Sequence, residues 1–126
     1  MNPQETAQAV LDQIRMNPET HWQGAYESPC GTTRCVAGWA AYLHGCRQIE
    51  TGLRIEPDGS RELVHNIAAD CLGLSEDDAI DLFSASLPAA EAVHALEYLA
   101  KGEKIDWRAV KGIGYARLEY ERAEVR

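Results

Sequence analysis

The sequence has few basic residues for its length and no long apolar run. Lysine and arginine number 12 in 126 residues against 20 aspartates and glutamates, which gives a net charge of −8. Because phosphate contacts need clustered lysine and arginine, this balance argues against direct nucleic-acid binding. The longest run of small or apolar residues, Cys35 to Leu43, is shorter than the about 20 residues that a membrane span requires. We therefore expect no contact with a membrane.

The sequence also lacks the motifs of several common enzyme classes. It contains no G-x-S-x-G nucleophile elbow, no glycine-rich phosphate loop and no H-E-x-x-H zinc motif. The N-terminal residues Met1 to Glu5 are polar and carry no basic segment of a secretory signal. These absences favour a cytoplasmic protein that is not an enzyme and needs no cofactor.

Helical periodicity predicts a mainly α-helical protein, a compact single-domain bundle of about five helices. The domain is expected to cover residues 1–112, with residues 113–126 as a charged tail or frayed helix. A small β-hairpin or extended segment is expected near residues 49–59. Apolar residues make up 45% of the chain, which is enough for one ordinary core.

Capping and turn residues mark several boundaries of these elements. Asn2 is predicted to cap the first helix, with Pro3 at its first position and Glu5 completing a capping box. The sequence Pro57-Asp58-Gly59 predicts a tight turn, because proline presets φ and glycine supplies a positive φ. Ser60 is then predicted to cap the next helix.

The most distinctive segment lies between residues 18 and 40. It reads Pro18-Glu19-Thr20-His21-Trp22-Gln23-Gly24-Ala25-Tyr26, and then Cys30-Gly31-Thr32-Thr33-Arg34-Cys35-Val36-Ala37-Gly38-Trp39-Ala40. Thr32 or Thr33 is predicted to cap a helix over residues 34–44. A glycine inside a helix costs roughly 1 kcal/mol against alanine, so Gly38 indicates close approach of another backbone. We interpret the motif as structural, with these members: Cys30, Gly31, Thr32, Cys35, Gly38 and Trp39.

This segment resembles a group of small proteins from actinobacteria and their phages. Those proteins carry P-E-x-H-x-Q-x-x-aromatic followed by C-G-T-x-x-C-x-A-G-W-A. Leu72-Gly73-Leu74-Ser75 and Leu82-Phe83 match further segments that often follow in the group, and Tyr26 stands where tryptophan is usual. The resemblance covers about residues 17–84. It implies a phage or prophage accessory protein in a bacterial host cell and transfers no catalytic residues.

Two cysteines and a histidine define one alternative, a zinc- or thiol-dependent protein. Cys30, Cys35 and His21 are the candidate ligands or reactive groups. A helix continuing from Cys35 places His44 about 14 Å away at ~1.5 Å per residue, which is too far for one zinc ion to bridge. A helix N-terminus beside Arg34 favours a reactive thiolate at Cys35. Packed, inert thiols are the simpler interpretation.

The negative charge is concentrated in one part of the chain. Between Glu62 and Glu97 the sequence carries acids and no lysine or arginine. Such a region can steer a basic partner or imitate the DNA backbone, although acids also stabilise helix N-termini. The acids predicted to bind a partner are Glu76, Asp77, Asp78 and Asp81.

Two aromatic residues before the motif are further candidates for partner binding. Tryptophan and tyrosine are enriched at interfaces, so Trp22 and Tyr26 are predicted to contact a partner. Alternatively, Trp22 covers the small helix face around Gly38. Together these features favour a non-enzymatic acidic module that binds a host bacterial protein. The alternatives are the zinc or thiol protein and a DNA-mimic inhibitor using residues 62–97.

Overall fold

The computed structural model describes residues 1–24, 34–50 and 53–111. The prediction of a mainly helical protein is confirmed. The predicted tail, residues 113–126, lies outside the described residues. Within these ranges the elements are α1 (Pro3–Met16), a 3₁₀ helix (Pro18–Thr20), α2 (Val36–Leu43), β1 (Arg47–Glu50), β2 (Leu53–Ile55), β3 (Arg61–Leu63), α3 (Val64–Leu72), α4 (Glu76–Leu82) and α5 (Ala89–Ala100). Residues 107–111 are also helical.

Helix α1 begins at the predicted residue. The Asn2 side chain accepts a hydrogen bond from the Glu5 backbone N–H at 2.8 Å, and the Glu5 carboxylate accepts from the Asn2 N–H at 3.1 Å. This reciprocal pair is the capping box, and Pro3 occupies the first turn as expected. The helix ends at Met16, two residues before Pro18, because a residue preceding proline is disfavoured in helical conformation.

Helix α1 lies at the centre of the fold and contacts α2, α3 and α5. Its apolar stripe is fully buried, and the opposing helices contribute small and branched residues that allow close approach. The buried residues from these four helices include Ala7, Val10, Leu11, Ile14, Val36, Ala40, Val64, Ile67, Ala68, Leu72, Ala92 and Leu96. Among the described helices, none combines the length and apolar character that crossing a membrane requires.

The β segment is larger than predicted and displaces the next helix. The three strands form an antiparallel sheet in the order β1-β2-β3, and the predicted turn at Pro57-Asp58-Gly59 joins β2 to β3. The prediction that Ser60 caps a helix is wrong. Its hydroxyl bonds to Glu56 at 2.8 Å and Asp58 at 2.6 Å, and the three residues that follow pair with β2. Helix α3 therefore starts only at Val64.

Helix α2 starts later than predicted and has an unexpected cap. Its N-cap is Cys35, whose sulfur accepts a hydrogen bond from the Gly38 N–H at 3.5 Å. The prediction of a cap at Thr32 or Thr33 is therefore wrong by two or three residues. Every residue of α2 from Val36 to Ala41 is buried, because neighbouring elements surround this short apolar helix.

Two glycine turns hold the first turn of α1. Gly73 ends α3 with φ +64°, and a Cβ on it would lie 3.1 Å from Pro3 Cβ. Gly102 follows α5 with φ +75°, and Gln4 Nε2 donates to the Ala100 carbonyl at 3.1 Å. The ends of α3 and α5 thus meet the start of α1.

Candidate functional site

A network of hydrogen bonds fixes the loop that follows the 3₁₀ helix. The Thr20 carbonyl accepts from the Arg34 backbone N–H at 2.9 Å and from the Trp39 indole N–H at 3.0 Å. The Trp22 N–H in turn donates to the Arg34 carbonyl at 3.0 Å. Residues 20–22 are therefore held against the start of α2, although the two segments are separated in sequence.

Gln23 joins this loop to the C-terminal end of α4. Its side chain is buried, and Nε2 donates to the Leu82 carbonyl at 2.6 Å. The Gln23 amide oxygen lies 3.0 Å from His21 Nε2, so the imidazole steadies the same amide. The bond to Leu82 satisfies a carbonyl at a helix end, which otherwise needs water or another partner. It brings the loop next to the acidic helix.

The two tryptophans of the motif have opposite environments. Trp39 is 5% exposed and belongs to the core, whereas Trp22 is 52% exposed. The Trp22 indole lies against Gly24, where an added Cβ would be only 2.9 Å from the ring atoms Cε2 and Nε1. Trp22 is therefore a surface residue resting on its own loop.

Arg34 lies under this loop and is 6% exposed. Its guanidinium carbon is 4.0 Å from the centre of the Tyr42 ring and 4.8 Å from that of Trp39. Stacking of this kind favours arginine over lysine, because the guanidinium is planar and weakly hydrated. Tyr42 remains 49% exposed on its other side. The cluster of Arg34, Trp39 and Tyr42 fixes the start of α2 and leaves part of the Tyr42 side chain exposed to solvent.

Helix α4 carries four acids in seven residues, and two of them have contacts on other helices. The Asp78 carboxylate accepts from the Trp107 indole N–H at 2.8 Å. The Glu76 carboxylate lies 3.1 Å from His65 Nε2. Both acids therefore help to hold α4 to its neighbours.

The remaining two acids of α4, Asp77 and Asp81, form no ion pair with any residue in the described part of the chain. Positions 77, 80 and 81 share one helix face, since residues three and four apart are neighbours on a helix. The middle residue of this face, Ile80, is 55% exposed. The arrangement is an apolar side chain between two carboxylates, and such a face suits a partner with basic and apolar groups.

The two candidate metal and thiol residues that the structure describes, Cys35 and His21, each have another contact. Cys35 is 2% exposed and caps α2, while His21 contacts Gln23. Within residues 1–24, 34–50 and 53–111, no group of three histidine, cysteine or acidic side chains is close enough to bind a metal. The candidate residues Tyr26, Cys30, Gly31 and Thr32 lie outside the described residues. The zinc and thiol alternative thus stays a prediction.

Burial raises the pKa of the Cys71 thiol to about 11, with further contributions from Cys46, Asp70 and Glu56. A thiol with such a pKa is almost fully protonated at neutral pH and is a poor nucleophile. Cys71 is partly buried against the core, and Cys46 is 5% exposed. Both are packed thiols, as expected for a chain with its own core.

Sequence reasoning missed two residues of this region, the buried Gln23 and the exposed Ile80. Gln23 is 59 residues from its partner Leu82, and a buried glutamine in a loop has no sequence pattern that names a distant carbonyl. Ile80 carried a usable signal, because its spacing from Asp77 and Asp81 places it on their face.

A cavity of about 380 Å³ lies elsewhere, between the start of α1 and the ends of α3 and α5. Its wall includes Leu72, Leu99 and Ile105, with Asp78 among its polar groups. The Asp78 carboxylate already accepts a hydrogen bond from the Trp107 indole N–H, so it helps to attach α4.

Comparisons of the chain with protein-family models, with curated proteins and with solved structures found no match.

Proposed function

We propose that the protein is a non-enzymatic acidic module that binds a basic partner protein. Its binding surface, called here the α4–Trp22 surface, consists of Asp77, Ile80 and Asp81 on α4 and the indole of Trp22. The observation that carries the proposal is the 2.6 Å bond from Gln23 Nε2 to the Leu82 carbonyl. This bond joins the loop of the exposed indole to the end of the acidic helix.

The charge distribution supports a basic partner. Lysine and arginine are absent from the sequence between Arg61 and Lys101, so α3, α4 and α5 carry no basic lysine or arginine of their own. A surface of one sign accelerates association with a partner of the opposite sign and rejects partners of like sign. The exposed Ile80 adds an apolar contact at the centre of the acids. These are the components of a small, salt-sensitive interface.

The partner is proposed to be a host bacterial protein, and the chain a phage or prophage accessory protein of the bacterial cytoplasm. This part of the proposal depends on the resemblance carried by residues 18–40. The acidic residues Glu76 and Asp78 contribute to the field of the surface, while their side chains also contact α3 and Trp107.

A capture experiment tests the proposed function. The full chain is immobilised and exposed to an actinobacterial lysate, beside a D77N/D81N variant and a D12N control. Asp12 is an exposed acid on α1 that already accepts from Gln8 Nε2 at 2.8 Å, and asparagine keeps that acceptor. We expect the wild type and D12N to retain the same basic protein, and D77N/D81N to lose it.

Salt and DNA refine the outcome of the same experiment. Raising salt from about 0.1 M to about 1 M shortens the Debye length from about 10 Å to about 3 Å, so the captured protein should be released. Competition by double-stranded DNA would support the DNA-mimic alternative for residues 62–97. Capture that is equal for wild type and D77N/D81N at low salt would contradict the proposed function.

A further inference from the structure

The position of Trp22 is set by its own loop. A Cβ on Gly24 would lie 2.9 Å from Cε2 and Nε1 and 3.1 Å from Cζ2 of the indole. Real side chains do not approach so closely, so only glycine allows the ring to rest there. About half of the residue stays exposed in this position. Gly24 is therefore a positioning residue for the indole.

The backbone under Trp22 is fixed before any partner arrives. Its N–H donates to Arg34, the preceding Thr20 carbonyl accepts two hydrogen bonds, and the following Gln23 is bonded to α4. A side chain presented on a fixed backbone loses little entropy on binding. Exposed tryptophans of this kind carry a large share of the energy in interfaces.

The acids on the elements that the loop of Trp22 joins favour a cationic group as the contact of the indole. Asp81 precedes the Leu82 carbonyl that Gln23 holds, and Glu19 lies exposed on the 3₁₀ helix three residues before Trp22. Arg34 pairs with the loop through its backbone, but its guanidinium is stacked on Trp39 and Tyr42. Tryptophan is the aromatic side chain that attracts cations most strongly. The loop that carries the ring is thus attached to the end of the acidic helix α4.

From these contacts we infer that Trp22 is the anchor of the α4–Trp22 surface and stacks on an arginine or lysine side chain of the partner. Asp81 supplies the counter-charge, and the occupant is a basic segment of the partner protein. The inference rests on the proposed function and names the group that the surface recognises. Gly24 acts through Trp22 by holding the ring in place.

A library of short random peptides tests the inference on the full chain. We expect the enriched peptides to carry arginine or lysine beside an apolar residue. Calorimetry should show that W22A lowers the affinity for the tightest-binding peptide about tenfold. G24A should lower the affinity for the same peptide about threefold or more, because the displaced Trp22 ring loses the stacking geometry. M16A is the control, since Met16 is a 78% exposed apolar side chain on α1.

Indole N–H signals in NMR spectra show whether each variant acts as intended. The chain has three tryptophans, so three signals are expected. G24A should move the Trp22 signal and leave those of Trp39 and Trp107 in place, because its Cβ meets a movable ring and not backbone. Adding the basic peptide should likewise move the Trp22 signal first.

The results separate this inference from the proposed function. Enriched peptides without basic residues, or equal affinity for wild type and W22A, would overturn the role of Trp22. If D77N/D81N still lowers the affinity for the enriched peptides, the proposed acidic surface is retained and only the role of Trp22 as its anchor is wrong. If D77N/D81N also leaves both peptide binding and lysate capture unchanged, both proposals fail.

Discussion

Two acids of α4, Asp77 and Asp81, form no ion pair among the residues that the structure describes, and they should have opposite effects on stability. Asp77 lies in the first turn of the helix and Asp81 in the last. A carboxylate stabilises the positive end of the helix dipole and destabilises the negative end, by about 0.3–1 kcal/mol in each case. The two acids are also four residues apart, where like charges repel by about 0.2–0.5 kcal/mol. Asp81 is therefore unfavourable for two reasons.

These magnitudes predict the sign of two neutral substitutions. D81N removes both unfavourable contributions and should raise the free energy of unfolding by about 0.5–1 kcal/mol. D77N loses the favourable dipole interaction and relieves the repulsion, so it should lower stability by about 0–0.5 kcal/mol. Asparagine and aspartate have similar helix propensities, so propensity does not confuse the comparison.

Urea unfolding at pH 7 measures both variants against the wild type and D12N. The midpoint should shift without a change in the slope, because the surface exposed on unfolding stays the same. The stabilisation by D81N should shrink in about 1 M salt, where the Debye length is about 3 Å. Unchanged or lower stability of D81N at low salt would refute the reasoning and show that Asp81 has a stabilising contact.

The binding assay gives this stability test its functional meaning. D81N is expected to have a higher free energy of unfolding than the wild type and a lower affinity for the basic partner. A solvated helix face whose acids only stabilise the helix predicts the opposite for stability and no change for binding. The two interpretations of the acidic region are thereby distinguished by one variant.

Three further predictions concern the core, a glycine turn and a thiol. L96A should lower the free energy of unfolding by about 3–5 kcal/mol, measured in urea, because Leu96 is a fully buried residue of α5, the helix that packs on α1. G73A should lower it by about 1–2 kcal/mol, because φ is +64° and the new Cβ would meet Pro3 at 3.1 Å. Alkylation of Cys71 by iodoacetamide, followed by mass spectrometry, should accelerate with pH up to about 11.

The thiol also predicts how stability depends on pH. The folded pKa of Cys71 is raised, so its contribution to stability is complete below the unfolded pKa and is lost as pH rises towards about 11. C71A should remove this part of the alkaline loss. Neutral-pH alkylation of Cys71 as fast as in the urea-unfolded chain, or losses below 1 kcal/mol for L96A or G73A, would contradict the contacts described.

Local signals predicted the elements whose boundaries depend on neighbours in sequence. The start of α1 at Asn2 and the turn at Pro57-Asp58-Gly59 follow from capping and from proline–glycine turn chemistry, which act within a few residues. Ser60 and the two threonines misled the same reasoning. A serine hydroxyl serves a turn as readily as a helix, and strand pairing with β2 decided which one forms.

The helical class of the chain and the acidic region around α4 could be predicted without coordinates, because periodicity, caps and charge are properties of residues close together in sequence. Packing between segments decided that Trp22 rests on Gly24 with about half of the residue exposed and that Gln23 reaches the Leu82 carbonyl 59 residues away. It also decided that Asp78 accepts from Trp107, while Asp77 and Asp81 form no ion pair within the described part of the chain. These outcomes depend on the distances between segments that are far apart in sequence. Packing of the segments sets those distances, and residue spacing along the chain does not encode them.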